Sequence, residues 1–149
     1  MRNEANQTIK DFGTQWLHFR DVRGFFGSVE LFSDIIFPFL KPDDLKGCKV
    51  AEIGSGSGRI VNMLLRGGVA HVIATDPSEA FDILHNNIEQ PEKVTCLKIT
   101  GDQLPPYGDL DYVFSIGVLH HIPDPEPVID AAFNALKPGG HHLVWLYGK

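Results

Sequence analysis

The sequence predicts an α/β fold, a doubly wound parallel sheet with helices on both faces. Three observations carry that expectation. From residue 48 onward, short β-branched runs alternate with amphipathic stretches of helical period, the pattern of strands joined by crossover helices. A strand over 48–53 runs straight into a glycine-rich turn and then a helix, so a ligand is expected to approach that turn. The 149 residues are 43% apolar and 21% charged, which suits one domain whose core needs no disulfide or metal.

Residues 1–10 are polar and expected to fray, and Ser28 caps a helix with an apolar stripe of Val29, Phe32, Ile35 and Ile36. Pro38 removes a backbone donor and is expected to kink or end that helix, which is expected to cover one side of the sheet. After the strand over 48–53, Ile60, Val61, Leu64 and Leu65 recur at helical spacing until Gly67-Gly68. A strand over 71–75 follows, then a helix from Ser78 with Phe81, Leu84 and Ile88 on one face, then a strand over 94–99. Pro105-Pro106 makes 101–108 largely loop before a fourth strand over 112–116. Asp124-Pro125 opens a helix through Val128, Ile129, Ala132, Phe133 and Leu136, which Lys137-Pro138-Gly139-Gly140 stops. A fifth strand spans 142–147, and His141-His142 reads as its solvated start. The chain is one domain, with a leader and covering helix over 1–47 and the ligand-binding core over 48–149.

Composition narrows the partners expected. Thirteen Lys and Arg against nineteen Asp and Glu give a net charge of −6, and no stretch concentrates the basic residues. The phosphate-backbone footprint is therefore missing, and nucleic acid is not expected as a substrate. The longest apolar run, 35–40, is far short of the ~20 residues of a membrane span, and the polar start is no secretory signal. A cytoplasmic protein is expected, with Cys48 and Cys96 as free, buried thiols and no metal site.

The strongest chemical signal is Val50-Ala51-Glu52-Ile53-Gly54-Ser55-Gly56-Ser57-Gly58. Glycines at alternate positions let the backbone bend and let a ligand approach with no Cβ in the way, at the positive end of the next helix. The dinucleotide fingerprint needs a glycine where Arg59 stands, which disfavours a nicotinamide oxidoreductase, the third reading of this chain.

This turn resembles the first motif of class I S-adenosylmethionine-dependent methyltransferases, in their broad small-molecule subgroup. Later signals follow in the same order: Thr75-Asp76-Pro77-Ser78, Gly101-Asp102-Gln103-Leu104-Pro105, the segment from Phe114 through Gly117 to His120-His121-Ile122, and Leu136-Lys137-Pro138-Gly139-Gly140. The resemblance covers about 48–147. It implies a Rossmann-like sheet of order 3-2-1-4-5 and S-adenosyl-L-methionine as cofactor, leaving as S-adenosyl-L-homocysteine. It implies that Gly54, Ser55, Gly56 and Gly58 face the cofactor and that Glu52 lies near its methionine end. Asp76, with Pro77 beside it, takes the ribose hydroxyls. Asp76 follows Glu52 by 24 residues, close to the ~20-residue offset of an acid that accepts from ribose hydroxyls. Asp102 accepts from the adenine amino group, Gln103 offers its backbone N–H, and the Gly117 carbonyl faces the methionine amine.

His120 and His121 are the side chains of the fourth motif that exchange protons near neutral pH, so either is a candidate general base; the alternative is catalysis by holding nucleophile and methyl in line. The implied activity is methyl transfer to an oxygen, nitrogen or carbon of a small-molecule acceptor. The alternative is a cofactor-binding fragment or a module without turnover. A leader containing Phe12-Gly13-Thr14-Gln15-Trp16, Phe19, Arg20 and Arg23 resembles one that folds over the cofactor in some methyltransferases, where Arg20 or Arg23 would pair with its carboxylate. Two further strands are usual in the family. Their absence implies a fragment of a longer protein, or a homo-oligomer that covers the last strand.

Overall fold

The computed structural model describes residues 2–18 and 24–148, with the side chains of all but 2–5, 12, 16–18 and 25. Its five strands are β1 (Lys49–Ile53), β2 (His71–Thr75), β3 (Val94–Leu97), β4 (Leu110–Ile116) and β5 (Leu136–Trp145). They form one sheet of order β3-β2-β1-β4-β5, every neighbouring pair parallel. This is the order expected. The helices are α1 (Arg2–His18), α2 (Val29–Ile36), α3 (Arg59–Arg66), α4 (Phe81–Asn87) and α5 (Glu126–Ala135).

Strand alternation divides the core in two. Val50, Val72 and Phe114 point to one face and pack with Phe32 and Ile36 of α2, Val61 and Leu64 of α3 and Leu84 of α4. Ala51, Ile53, Ile73 and Val113 point to the other and meet Val128, Ala131, Ala132 and Ala135 of α5. Phe32 stands edge-on to Phe114 at 6.0 Å between centroids, so the helix ahead of the sheet belongs to the core. Ser28 caps that helix as expected, its Oγ accepting the Leu31 N–H at 3.1 Å.

Three segments differ from the sequence reading. Residues 2–10 belong to α1 instead of fraying. Gly13 docks this helix, since a Cβ there would stand 3.3 Å from Ser78 Cβ, and Gln7 donates to Asp11 one turn on at 2.8 Å. α4 starts at Phe81 because Ser78 is held by Asp76 in a side-chain turn. β5 starts at Leu136, paired with Leu110, where the end of the preceding helix was expected, and it runs through 137–140, where a turn was expected. The register then jumps to Tyr112 opposite His141, so Lys137 to Gly140 bulge out of the ladder while Lys137 pairs with Asp111.

His142 is also no solvated strand end. It is half-buried, with Nε2 2.9 Å from the Ser115 hydroxyl, and burial lowers its pKa. His141 is exposed and stacks on Tyr112.

Candidate functional site

The order β3-β2-β1-β4-β5 reverses direction between β1 and β4, and in open parallel sheets ligands bind beyond the carboxyl ends of strands at such a switch. A cavity of about 270 Å³ lies there, near the small end of ligand pockets at about 300–1,000 Å³. Ile53 and Gly54 come from the end of β1, Asp76 to Ser78 from the end of β2, and Thr100 to Asp102 from the loop after β3. Ile116 to Val118 and His121 to Pro123 come from the end of β4 and its following turn. Val128 closes one side from α5, and Thr8 and Ile9 of α1 reach the opening.

The glycine turn is held from β2. Gly54 and Ser55 donate their N–H groups to Thr75 O at 2.9 and 2.8 Å, and Gly56 N–H donates to Asp76 Oδ2 at 2.8 Å. Asp76 is buried, and its other oxygen accepts from the Ser78 N–H at 2.8 Å and from the Ser78 hydroxyl. Gly54 has φ +76°, and a Cβ there would lie 2.6 Å from Val118 Cγ2. This position therefore requires glycine twice over, by backbone conformation and by close approach.

Of the residues singled out from sequence, Gly54, Asp76, Pro77, Asp102, Gly117 and His121 line the cavity. Glu52, Ser55, Gly56, Gly58, Gln103 and His120 do not. Ser55, Gly56 and Gly58 shape the turn beneath, and Gly58 caps α3 in the left-handed conformation. Gln103 is exposed; its N–H donates to Thr100 O at 3.0 Å, and its side-chain oxygen accepts the Thr100 N–H. Phe19, Arg20 and Arg23 lie outside the described residues. The sequence reading missed the wall formed by Ile53, Thr100, Val118, Ile122 and Val128, which reads simply as strand ends and core. It also missed Tyr147, which the fold returns to the fourth motif.

Glu52 is 1% exposed, and its Oε2 has no hydrogen-bond partner among the described residues. Burial pushes its pKa up to about 8; the Ser55 hydrogen bond and Arg59 pull it back, and the Asp76 charge adds to the rise. Burial also lowers His121, with the His120 ring acting in the same direction. Both ring nitrogens of His120 are shielded from solvent and have no hydrogen-bond partner among the described residues. Among the described residues no group of three or more His, Cys, Asp and Glu is placed to hold a metal ion.

This donor set fits an adenosine-bearing cofactor. Two carboxylates, Asp76 and Asp102, supply acceptors for hydroxyl and amino groups, while Ile53, Val118, Ile122 and Val128 supply apolar surface for a flat ring. Glu52 leaves an unpaired buried acceptor under the turn. Fold and site together define a Rossmann-like domain built to take a nucleoside cofactor at the ends of β1, β2 and β4.

The chain belongs to the methyltransferase domain family, whose model matches residues 51–144, and its cofactor is S-adenosylmethionine. It is 37% identical over 109 residues to a tRNA U34 carboxymethyltransferase from Hahella chejuensis, covering 70% of this chain and 33% of that protein. It is 38% identical over 108 residues to a ubiquinone biosynthesis O-methyltransferase from Marinobacter nauticus, covering 67% of this chain and 44% of that protein. The chain thus spans less than half the length of these relatives. Its fold is similar to a solved S-adenosylmethionine-dependent methyltransferase from Mesorhizobium loti, with TM-score 0.61 and 23% identity, over 67% of this chain and 46% of that one.

The expectation that nucleic acid is excluded, leaving a small molecule as the partner, is overturned by the relative named for a tRNA position. A net charge of −6 belongs to a stretch matching a third of that protein, so it says nothing of charge carried elsewhere in such an enzyme. Among the described residues no helix is long and apolar enough to cross a membrane.

Proposed function

We propose that this chain is the cofactor-binding part of an S-adenosylmethionine-dependent transferase whose acceptor meets the cofactor at the mouth of the cavity between β1 and β4. The observation that carries this reading is the convergence of Asp76, Asp102 and the apolar residues Ile53, Val118, Ile122 and Val128 on one cavity beside the glycine turn. When bound, the cofactor supplies a one-carbon group activated by a sulfonium centre. Asp76 serves a ribose hydroxyl with the one lone pair that its bonds to Gly56 and Ser78 leave on Oδ2, and Asp102 serves the adenine amino group. Gly117, in the cavity wall, stands toward the methionine end, while Glu52 is buried beneath the glycine turn and acts there only through it. His121, in the cavity wall with its pKa lowered, is uncharged at neutral pH and able to accept a proton from the nucleophile.

The acceptor is a nucleophilic oxygen, nitrogen or carbon. A location in the cytoplasm belongs to the same reading, supported by the unpaired thiols of Cys48 and Cys96. The test is native mass spectrometry after incubation with S-adenosylmethionine, followed by label transfer from its methyl-labelled form to total tRNA and to phenolic metabolites. One bound cofactor per chain with transfer to either acceptor is expected. Binding without transfer to any acceptor returns the reading to a module without turnover, and absence of binding rejects it.

A further inference from the structure

Tyr147 follows β5 and lies next to none of the motif residues in sequence, yet it ends against three of them. The ladder from β5 extends to Gly117, whose N–H donates to Trp145 O at 2.8 Å. Two residues on, the Tyr147 ring lies over Gly117, where a Cβ would come 3.3 Å from the ring carbon Cε1. Any larger residue at 117 would push the ring away, and φ +71° there is a left-handed conformation that also favours glycine. The ring stands edge-on to His120 at 4.2 Å between centroids, and its hydroxyl is 2.8 Å from His121 Nε2. His120 and His121 are themselves 3.9 Å apart, ring to ring. His121 lines the cavity and Tyr147 does not, so the phenol acts on the cavity through the imidazole.

We propose that Tyr147 is a positioning residue: its hydroxyl fixes the ring orientation and the tautomer of His121 at the acceptor side of the cavity. A neutral imidazole carries one proton on one of two nitrogens, and a donor held at Nε2 biases that proton onto Nδ1. A phenol is a stronger hydrogen-bond donor than acceptor, so the Tyr147 hydroxyl donates, Nε2 accepts and Nδ1 keeps the proton. His120 has no hydrogen-bond partner on its nitrogens among the described residues and packs on both rings, so it serves as the wall against which the pair is held. The other ionisable groups lining this cavity are Asp76, just beyond β2, and Asp102, in the loop after β3. The role of the pair toward an acceptor rests on the functional reading above. The hydrogen bond and the tautomer do not.

The experiment is long-range ¹H–¹⁵N correlation NMR of the full chain, labelled at histidine, for wild type and Tyr147→Phe, with and without S-adenosylhomocysteine. In wild type, His121 should show two well-separated ring-nitrogen shifts, the sign of one dominant neutral tautomer. Tyr147→Phe keeps the ring over Gly117 and removes only the hydroxyl. It should cut the tautomer preference by roughly three- to tenfold, the worth of one net hydrogen bond, and bring the two shifts together. Unchanged shifts in a folded Tyr147→Phe protein overturn the proposal. So does a wild-type His121 with evenly mixed tautomers, which needs no variant at all. Failure of both proteins to bind S-adenosylhomocysteine would instead sink the functional reading, and the tautomer result would still decide the Tyr147–His121 pair.

Discussion

Asp76, at the end of β2, accepts the backbone N–H of Gly56 at 2.8 Å, so the residue proposed to offer the ribose an acceptor also holds the glycine turn in place. Its remaining bonds run to the N–H and hydroxyl of Ser78, which set the turn into α4. Asp76→Ala leaves the Gly56 and Ser78 amides without their acceptor in a buried site. It should lower unfolding free energy by about 1–3 kcal/mol, measured by urea denaturation. Asp76→Asn, which keeps one acceptor oxygen, should fall between the two. An Ala variant as stable as wild type would show that water replaces the carboxylate at no cost.

Glu52 gives a pH signature. Its folded-state pKa is raised from the ordinary 4.5 to about 8, so the folded protein keeps a proton that the unfolded chain releases. Its contribution is therefore fully present below about pH 4.5 and is lost as pH rises toward 8, by up to about 1.4 kcal/mol per pH unit. Glu52→Gln should flatten that fall, and the difference in slope between the two proteins from pH 5 to pH 8 is the readout. Parallel slopes would mean that Glu52 is charged in the folded protein.

Gly54→Ala places a Cβ 2.6 Å from Val118 Cγ2 in a left-handed backbone. The conformation alone costs roughly 1–2 kcal/mol, and the overlap adds to it. Thermal melts should show a clear loss of stability, part of which Val118→Ala recovers by removing the clashing methyls. No recovery in the double variant would assign the whole effect to the backbone.

Phe114 is fully buried between Phe32 and Tyr112. Phe114→Ala should cost about 3–5 kcal/mol by chemical denaturation, since both aromatic neighbours are tied to secondary structure and close poorly over the cavity. A cost below 1 kcal/mol would mean that α2 collapses onto the sheet.

The sheet was legible because β-branched runs at the right spacing report strands whatever surrounds them, and the glycine turn with Asp76 and Asp102 reported which ends meet. What escaped was tertiary. α1 is polar along 2–10, and its docking shows only in three dimensions, where Gly13 comes close to Ser78 and Thr8 and Ile9 reach the cavity. Lys137-Pro138-Gly139-Gly140 reads as a turn, but the pairing of Leu110 with Leu136 makes it a bulge within a strand. Glu52, adjacent to the site in sequence, alternates onto the opposite face of β1 from Ile53 and so misses the cavity wall. Tyr147 meets His121 across 26 residues through parallel pairing of β4 and β5, which no local pattern encodes.

The central claim is that the ends of β1, β2 and β4, with the loop after β3, hold an S-adenosyl cofactor and not a dinucleotide. Titration calorimetry of the full chain with S-adenosylhomocysteine and with NAD, for wild type and Asp102→Ala, tests it most directly. Asp102 is exposed, and its side chain takes part in none of the bonds that hold the glycine turn. The account predicts one S-adenosylhomocysteine per chain, little or no heat from NAD, and affinity weakened by about 1.5–3 kcal/mol in Asp102→Ala. Equal affinity for NAD, or an Asp102→Ala protein that binds S-adenosylhomocysteine as wild type does, would contradict it.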